Sequence, residues 1–285
     1  MSLSRRQLLV CVAALGSAAC SRGKRPAPGP VTRVVSLSPN TTEAVFAIGA
    51  GDRLVGRSRH CDYPREAVAL PVVGGFADPN LEAVLALAPD LVVGARGPAG
   101  PDVARALEAQ GIATYFPVVD SVADIGALLV GLGERLGRVA AAEALADAIR
   151  RDLEAVRAAH AEGPRVRAAM VFEASPLVVA GPGGFPDELL GLAGGANVIG
   201  AGGAYPQIEL ERLVALDPEV LIDASAELDT PPTTPSVLLT LPGFAGLAAV
   251  RGGRVRRLTT AAAVRPGPRI ALGLYDIARA LHGPA

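Results

Sequence analysis

Apolar positions along the chain alternate between two rhythms. Short β-branched runs are bounded by glycine, proline or charge, and longer stretches carry apolar residues three and four apart. Both rhythms meet in a stretch that occurs twice, Leu81-Glu82-Ala83-Val84-Leu85-Ala86-Leu87-Ala88-Pro89-Asp90-Leu91-Val92-Val93 and Leu210-Glu211-Arg212-Leu213-Val214-Ala215-Leu216-Asp217-Pro218-Glu219-Val220-Leu221-Ile222. Each copy predicts a short helix, a proline that cannot continue it, an acid, and a strand apolar enough to be buried on both faces. Each carries one glutamate, Glu82 or Glu211, in the first helical turn, where the helix dipole favours it.

Around the first copy the pattern predicts strands at Arg33 to Ser38, Leu54 to Gly56, Val72 to Phe76 and Ala113 to Phe116, with a helix capped by Asn40 or Thr41 and another from Val103 to Gln110. Ser121 to Gly163 has no strand pattern and predicts helices from Val122 to Leu136 and from Val139 to His160. The second of these would run roughly 30 Å, long enough to cross between two bodies. Strands at Arg167 to Phe172, Leu177 to Ala180 and Arg254 to Leu258 accompany the second copy, with helices from Glu188 to Leu192, opened by Asp187, and from Ile270 to His282. The expectation is an α/β fold of two Rossmann-like lobes, residues 32–120 and 164–285, joined through connecting helices at 121–163.

The first 20 residues predict an export signal rather than structure. Ser4-Arg5-Arg6-Gln7-Leu8-Leu9 resembles a twin-arginine motif, with Leu8 where Phe is common, and a short apolar run follows. Gly16-Ser17-Ala18-Ala19-Cys20 resembles a lipobox, with Ser17 in place of the usual aliphatic residue. Lipid attachment at Cys20 is expected, with ordinary cleavage after Ala19 as the alternative. Residues 21–31 are polar and rich in Gly and Pro, a linker. The chain is therefore expected in the periplasm, tethered or free.

Composition narrows the chemistry. Among 285 residues, 50% are hydrophobic and the formal net charge is -1, which permits a sizeable core and implies no nucleic-acid face. Three cysteines and three histidines, scattered and without a C-x-x-C pair, poorly supply a zinc site or a disulfide framework. A hydrolase built on adjacent His60 and Cys61 lacks a third orienting group at fixed spacing, so no enzyme is expected. Gly181-Pro182-Gly183-Gly184 precedes a helix but lacks the ending of a phosphate loop. What remains is a rim. The loops carrying His60 with Tyr63, then Phe76, then Arg96 follow successive strands, and ligands of open α/β sheets bind beyond such strand ends.

Val34-Val35-Ser36-Leu37-Ser38-Pro39-Asn40-Thr41-Thr42-Glu43, Cys61-Asp62-Tyr63-Pro64, Asn80-Leu81-Glu82, Tyr205-Pro206-Gln207 and Arg265-Pro266-Gly267-Pro268-Arg269 resemble the vitamin B12-binding periplasmic proteins. These are substrate-binding proteins of ABC importers of the helical-hinge class (class III), a class shared with siderophore and haem binders. The resemblance spans nearly all of the chain after the linker. It implies a monomer that holds a corrinoid between its lobes, with no permanent cofactor, and delivers it to a permease dimer in the cytoplasmic membrane. A ferric siderophore or haem is the alternative cargo. It further implies that Glu82 and Glu211 dock on permease arginines and that His60, Phe76, Tyr205 and Arg265 face the ligand, to which the rim reading adds Tyr63 and Arg96. Ala95 stands where an aromatic is usual and Ala261 where an acid is, implying a wider pocket or a different corrinoid. His60 could ligate cobalt or iron axially, or serve as a hydrogen-bonding or stacking contact.

Overall fold

Strand residues of the first lobe alternate between two buried faces, which is why their runs are continuously apolar. A computed structural model describes residues 29–97, 100–225 and 235–283. Its first lobe comprises β1 (Val34–Ser36), α1 (Pro39–Ala47), β2 (Leu54–Arg57), α2 (Leu81–Ala86), β3 (Leu91–Val93), α3 (Gly100–Ala109) and β4 (Ala113–Tyr115). The sheet runs β2-β1-β3-β4 and every pairing is parallel. Val34, Leu91 and Val93 enter the core shared with the connecting helices, while Val35 and Val92 enter a second cluster with Val84 and Leu107.

The second lobe comprises β5 (Val166–Ala174), β6 (Leu177–Val179), α6 (Phe185–Leu192), β7 (Gly195–Asn197), α7 (Leu210–Leu216), β8 (Val220–Asp223), α8 (Ala248–Arg251), β9 (Val255–Arg257) and α9 (Ile270–His282), after the connecting helices α4 (Val122–Leu136) and α5 (Val139–Ala159). Strands β7, β5, β8 and β9 are mutually parallel neighbours in that order, repeating the path of the first sheet, and β6 is added antiparallel to β5.

The duplication extends to single atoms. Ala88 and Asp217, each the residue before the repeat's proline, have φ of 44° and 40°. That left-handed turn is uncommon outside glycine and ends each helix sharply. Arg33 donates to the carbonyls of Leu87 and Ala88, and Arg167 to that of Leu216, so one arginine per lobe satisfies the helix end. The next amides, of Asp90 and Glu219, each donate to the carbonyl of that arginine at 2.8 Å.

One continuous core runs through both lobes. Ile125, Leu128, Leu129, Leu132 and Leu136 of α4 are at most 1% exposed, in the same cluster as Val34 and Leu91 of the first lobe and Met170, Ile222 and Leu274 of the second. Each such side chain contributes about 1.5–3 kcal/mol on burial. Helix α4 packs on α1 and α6, and α5 packs on α4, α6 and α9. Ser121 and Asp124 form a capping box at the start of α4, and the amide of Val122 donates to Glu188 Oε2 of α6 at 2.8 Å. At its other end Arg53 donates to the carbonyl of Leu136 at 2.7 Å.

Some local expectations differ. Helix α1 is capped two residues earlier than Asn40, with Ser38 at its N-cap and Pro39 at N1, because proline's fixed φ suits the first turn. Val72 to Phe76 forms only isolated bridges, Arg57 to Val72 and Gly74 to Pro79, rather than a strand. Helix α6 begins at Phe185, not Glu188, and β7 was not expected, being a short run centred on Gly195. The export signal, Cys20 and most of the linker lie outside the described residues. Among the described residues no helix is long and apolar enough to cross a membrane.

The far ends of α5 and α9 meet through two histidines. The rings of His160 and His282 stack at 4.4 Å with 7° between their planes, and His282 Nε2 lies 2.8 Å from the Ala193 carbonyl. Burial, then the neighbouring His282, lower the pKa of His160 below its ordinary value. A depressed folded pKa means that the stabilisation is present above the unfolded value and fades as pH falls through the folded one. Stability measured by urea unfolding is expected to drop from about pH 7.5 to about pH 5.5, before carboxylates titrate, and His160→Gln is expected to flatten that drop. A drop of equal size in the variant would contradict the assignment.

Candidate ligand-binding site

The loops beyond the carboxyl ends of the first sheet are fastened to one another before any ligand arrives. The Ala95 amide donates to Ser38 Oγ at 2.8 Å, which ties the loop after β3 to the start of α1. The Arg96 amide donates to the Pro117 carbonyl at 3.0 Å, and the Arg59 amide to the Gly74 carbonyl at 2.8 Å. Phe76 covers Gly97, where any Cβ would stand 2.3 Å from the ring, so that glycine is required for the approach. Backbone groups satisfied in this way hold the loops in one arrangement.

His60 and Tyr63 share the loop that follows β2, and both are exposed. Beside His60, Arg59 grips Asp78 through both terminal nitrogens at 2.9 and 2.8 Å. The hydrogen bonds from Arg59 hold the Asp78 carboxyl below its usual range, with smaller help from the charge of His60. On the other side of His60, Asp62 accepts from Arg265 Nη1 at 2.5 Å and from Nη2 at 3.0 Å. Arg265 is one of the expected ligand-facing residues, and the structure places it in this ion pair. Those hydrogen bonds lower the Asp62 pKa against the opposing effect of burial.

Beneath this pair lies a more buried one. Glu43 of α1, 4% exposed, accepts from Arg269 Nε and Nη2 at 2.8 and 2.7 Å, and Arg265 Nη1 stands 3.7 Å from the same carboxylate. The Arg269 guanidinium also lies 3.7 Å over the Tyr63 ring. Burial opposes its charge, but the bonds and charge of Glu43 outweigh burial and raise its pKa. Asn40 Nδ2 donates to the Pro266 carbonyl at 3.2 Å, and a Cβ on Gly267 would sit 3.3 Å from Asn40 Cβ. The first lobe thus contributes Asn40, Glu43, Asp62 and Tyr63, and the segment entering α9 contributes Arg265 to Arg269.

Tyr205 lies on the second lobe, in the loop before α7. It is 54% exposed, and its ring meets Phe172 of β5 edge-on at 5.4 Å. Local burial, then the charge of Asp120 at the end of the first lobe, raise its phenol pKa. The loops carrying His60, Tyr63, Phe76 and Arg96 and the segment carrying Arg265 are linked through the contacts above, whereas the ring contact of Tyr205 is with Phe172 of its own lobe. Arg96 is exposed, and its side chain has no carboxylate partner among the described residues. Cys61 is fully buried, with Ser58 Oγ at 3.2 Å from its sulfur, which leaves it poorly placed as a nucleophile. Among the described residues no three His, Cys, Asp or Glu side chains gather to hold a metal ion.

Glu82 and Glu211 are exposed in the first turns of α2 and α7. The equivalence includes their neighbours. Val84 and Leu213, two residues on, are 0% exposed, and Leu85 and Val214, three on, are 39% and 37% exposed.

Sequence reasoning left Glu43, Asp62, Asp78 and Arg269 without roles. Glu43 was hidden because Asn40 to Glu43 read as a polar helix start, whereas the structure buries all four, and a buried carboxylate needs a partner. Its partner 226 residues away could not be read from local pattern.

Two lobes of mostly parallel sheet sharing one helical brace, with aromatic and basic side chains on loops beyond the strand ends, define a two-lobed solute-binding protein. The chain belongs to the periplasmic binding protein family, whose model matches residues 34–262. The vitamin B12-binding protein of Vibrio parahaemolyticus is 33% identical over 196 residues, covering 67% of this chain and 70% of that one. Among solved structures, the periplasmic vitamin B12 binding protein BtuF of Vibrio cholerae aligns with a TM-score of 0.76 at 26% identity, over 88% of this chain and 97% of that one. A periplasmic haem-binding protein from Pseudomonas aeruginosa aligns with a TM-score of 0.75 at 31% identity, over 90% of this chain and 94% of that one.

Removing Glu43 would leave Arg269 charged and unpaired against the Tyr63 ring. Glu43→Ala is expected to cost about 3–5 kcal/mol in chemical unfolding, as for other broken buried pairs. A cost under about 1 kcal/mol would mean that water already screens the pair.

Proposed function

We propose that this protein captures a corrinoid between its lobes and delivers it to an ABC importer in the cytoplasmic membrane. The single observation that carries the reading is the rim itself: exposed His60 and Tyr63 and half-buried Phe76 on one lobe, and exposed Tyr205 on the other, offer rings to a bulky, largely apolar guest. The relatives named for vitamin B12 support the same cargo. Haem is the second reading, favoured by the haem-binding neighbour and by an exposed His60 able to ligate a metal axially. In either case the metal belongs to the cargo, and the protein itself keeps no permanent cofactor.

The working unit is a monomer of two lobes, residues 32–120 and 164–285, with residues 121–163 as the stiff connection. Residues 1–20 direct twin-arginine export to the periplasm, and Cys20 takes the lipid that tethers the linker of residues 21–31. Glu82 and Glu211 meet arginines on the two subunits of the permease dimer, because an internally duplicated protein presents the same knob twice. Charged contacts of this kind set orientation and on-rate more than affinity.

Titration calorimetry of the full chain with cyanocobalamin is expected to give saturable binding of one ligand per chain. At a free ligand concentration about a hundredfold above Kd, stability should rise by about 2.7 kcal/mol. Uptake into vesicles carrying the permease should fall far more than binding does when Glu82 and Glu211 are both changed to Ala. Absence of saturable corrinoid binding would overturn the reading, and undiminished uptake by the double variant would overturn the docking assignment.

A further inference from the structure

The basic residues nearest His60 are not waiting for an anion. Arg59 is occupied by Asp78 and Arg265 by Asp62, each through two hydrogen bonds, and Arg269 is occupied by Glu43. A guanidinium that holds a carboxylate in two parallel bonds has used its best geometry for another. A ligand carboxylate arriving beside His60 would also meet Asp62 and Asp78, whose side chains are 51% and 66% exposed. Like charges brought together at a partly dry rim repel, and Arg59, Arg265 and Arg269 are each already paired with a carboxylate. Arg96, on the neighbouring loop, has no carboxylate partner among the described residues.

We propose that the Asp62–Arg265 and Asp78–Arg59 pairs make this rim selective for a neutral, amide-fringed macrocycle and exclude rings fringed with carboxylates. This rests on the corrinoid reading above and goes further, by naming the residues that choose between cargoes of similar size. Carboxamides can accept from the outer N–H groups of the two arginines and donate to the outer lone pairs of the two aspartates without displacing either pair. A carboxylate can only accept, so it faces Asp62 and Asp78 with no proton to offer. Specificity then comes from a repulsive element built into the site as much as from attraction.

The test compares cyanocobalamin with its monocarboxylic acids, which keep the ring and change one peripheral amide to a carboxylate, and with haemin. The full chain is expected to bind cyanocobalamin at least about tenfold more tightly than the monocarboxylic acid it rejects most. In Asp62→Asn, which leaves Arg265 able to take an anion, that ratio should collapse towards one and haemin affinity should rise. Adding Arg265→Gln to that change should cancel the gain for haemin. Asp78→Asn, at an exposed pair away from the buried Glu43, repeats the comparison should the first variant fail to fold. An amide-to-acid ratio unchanged in folded Asp62→Asn and Asp78→Asn, with corrinoid still bound, would overturn the selectivity and leave the corrinoid reading standing. Haemin bound by the unaltered protein more tightly than cyanocobalamin, or no binding of either, would overturn both.

Discussion

A carboxylate taken out of water must be matched, and in this protein one such carboxylate holds the two lobes together. Glu43 lies on the first helix of the first lobe and is 4% exposed, and both of its oxygens are held by Arg269 at the threshold of the last helix. Neither group is tolerable alone at that depth, so the two segments cannot part without stranding a charge. The Tyr63 ring, the Asp62–Arg265 pair and the Asn40–Pro266 contact build outward from it. The floor of the proposed ligand site and the junction between the lobes are therefore one cluster of side chains.

The hydrophobic core reinforces the same constraint. The buried faces of α4 and α5 belong to a cluster that reaches both sheets, so opening the lobes would expose apolar surface as well as strand charges. Flexible clamps are hinged on extended strands or loops, whereas here two packed helices and an ion cluster fix the angle. Function must then come from a largely preformed rim, with loops already tied by Ser38, Gly74 and Pro117. The duplicated α2 and α7 units ride on this rigid frame, which keeps Glu82 and Glu211 at a constant separation.

Much of this was legible in the sequence because the informative patterns were local. The repeated helix–proline–acid–strand unit, the two connecting helices and the last helix depend on apolar spacing and on proline, and α4 matched its expected bounds from Val122 to Leu136. The sequence was silent where long-range pairing decides. Nothing near Arg265 says that Asp62 will occupy it, and nothing near Val72 says that its run will bridge β2 without becoming a strand. β7 was missed because Gly195-Ala196-Asn197 has no strand propensity of its own, and its pairing with β5 is imposed by the fold. The rim loops of His60, Phe76 and Arg96 were legible from the strand ends, and Tyr205 and Arg265 from a family resemblance, but the ion-pair partners of the rim needed coordinates.

The most direct test of a fixed two-lobed frame is the distance between the duplicated helices in solution. Spin labels on cysteines introduced at exposed Ala86 and Ala215, one per lobe, with Cys11 and Cys20 replaced by serine and Cys61 left buried, would report it by pulsed electron resonance. The distance distribution is expected to be single and to move by less than about 2 Å when cyanocobalamin is added to saturation. A second population in the free protein, or a shift several times larger on binding, would contradict a frame locked by Glu43 and Arg269.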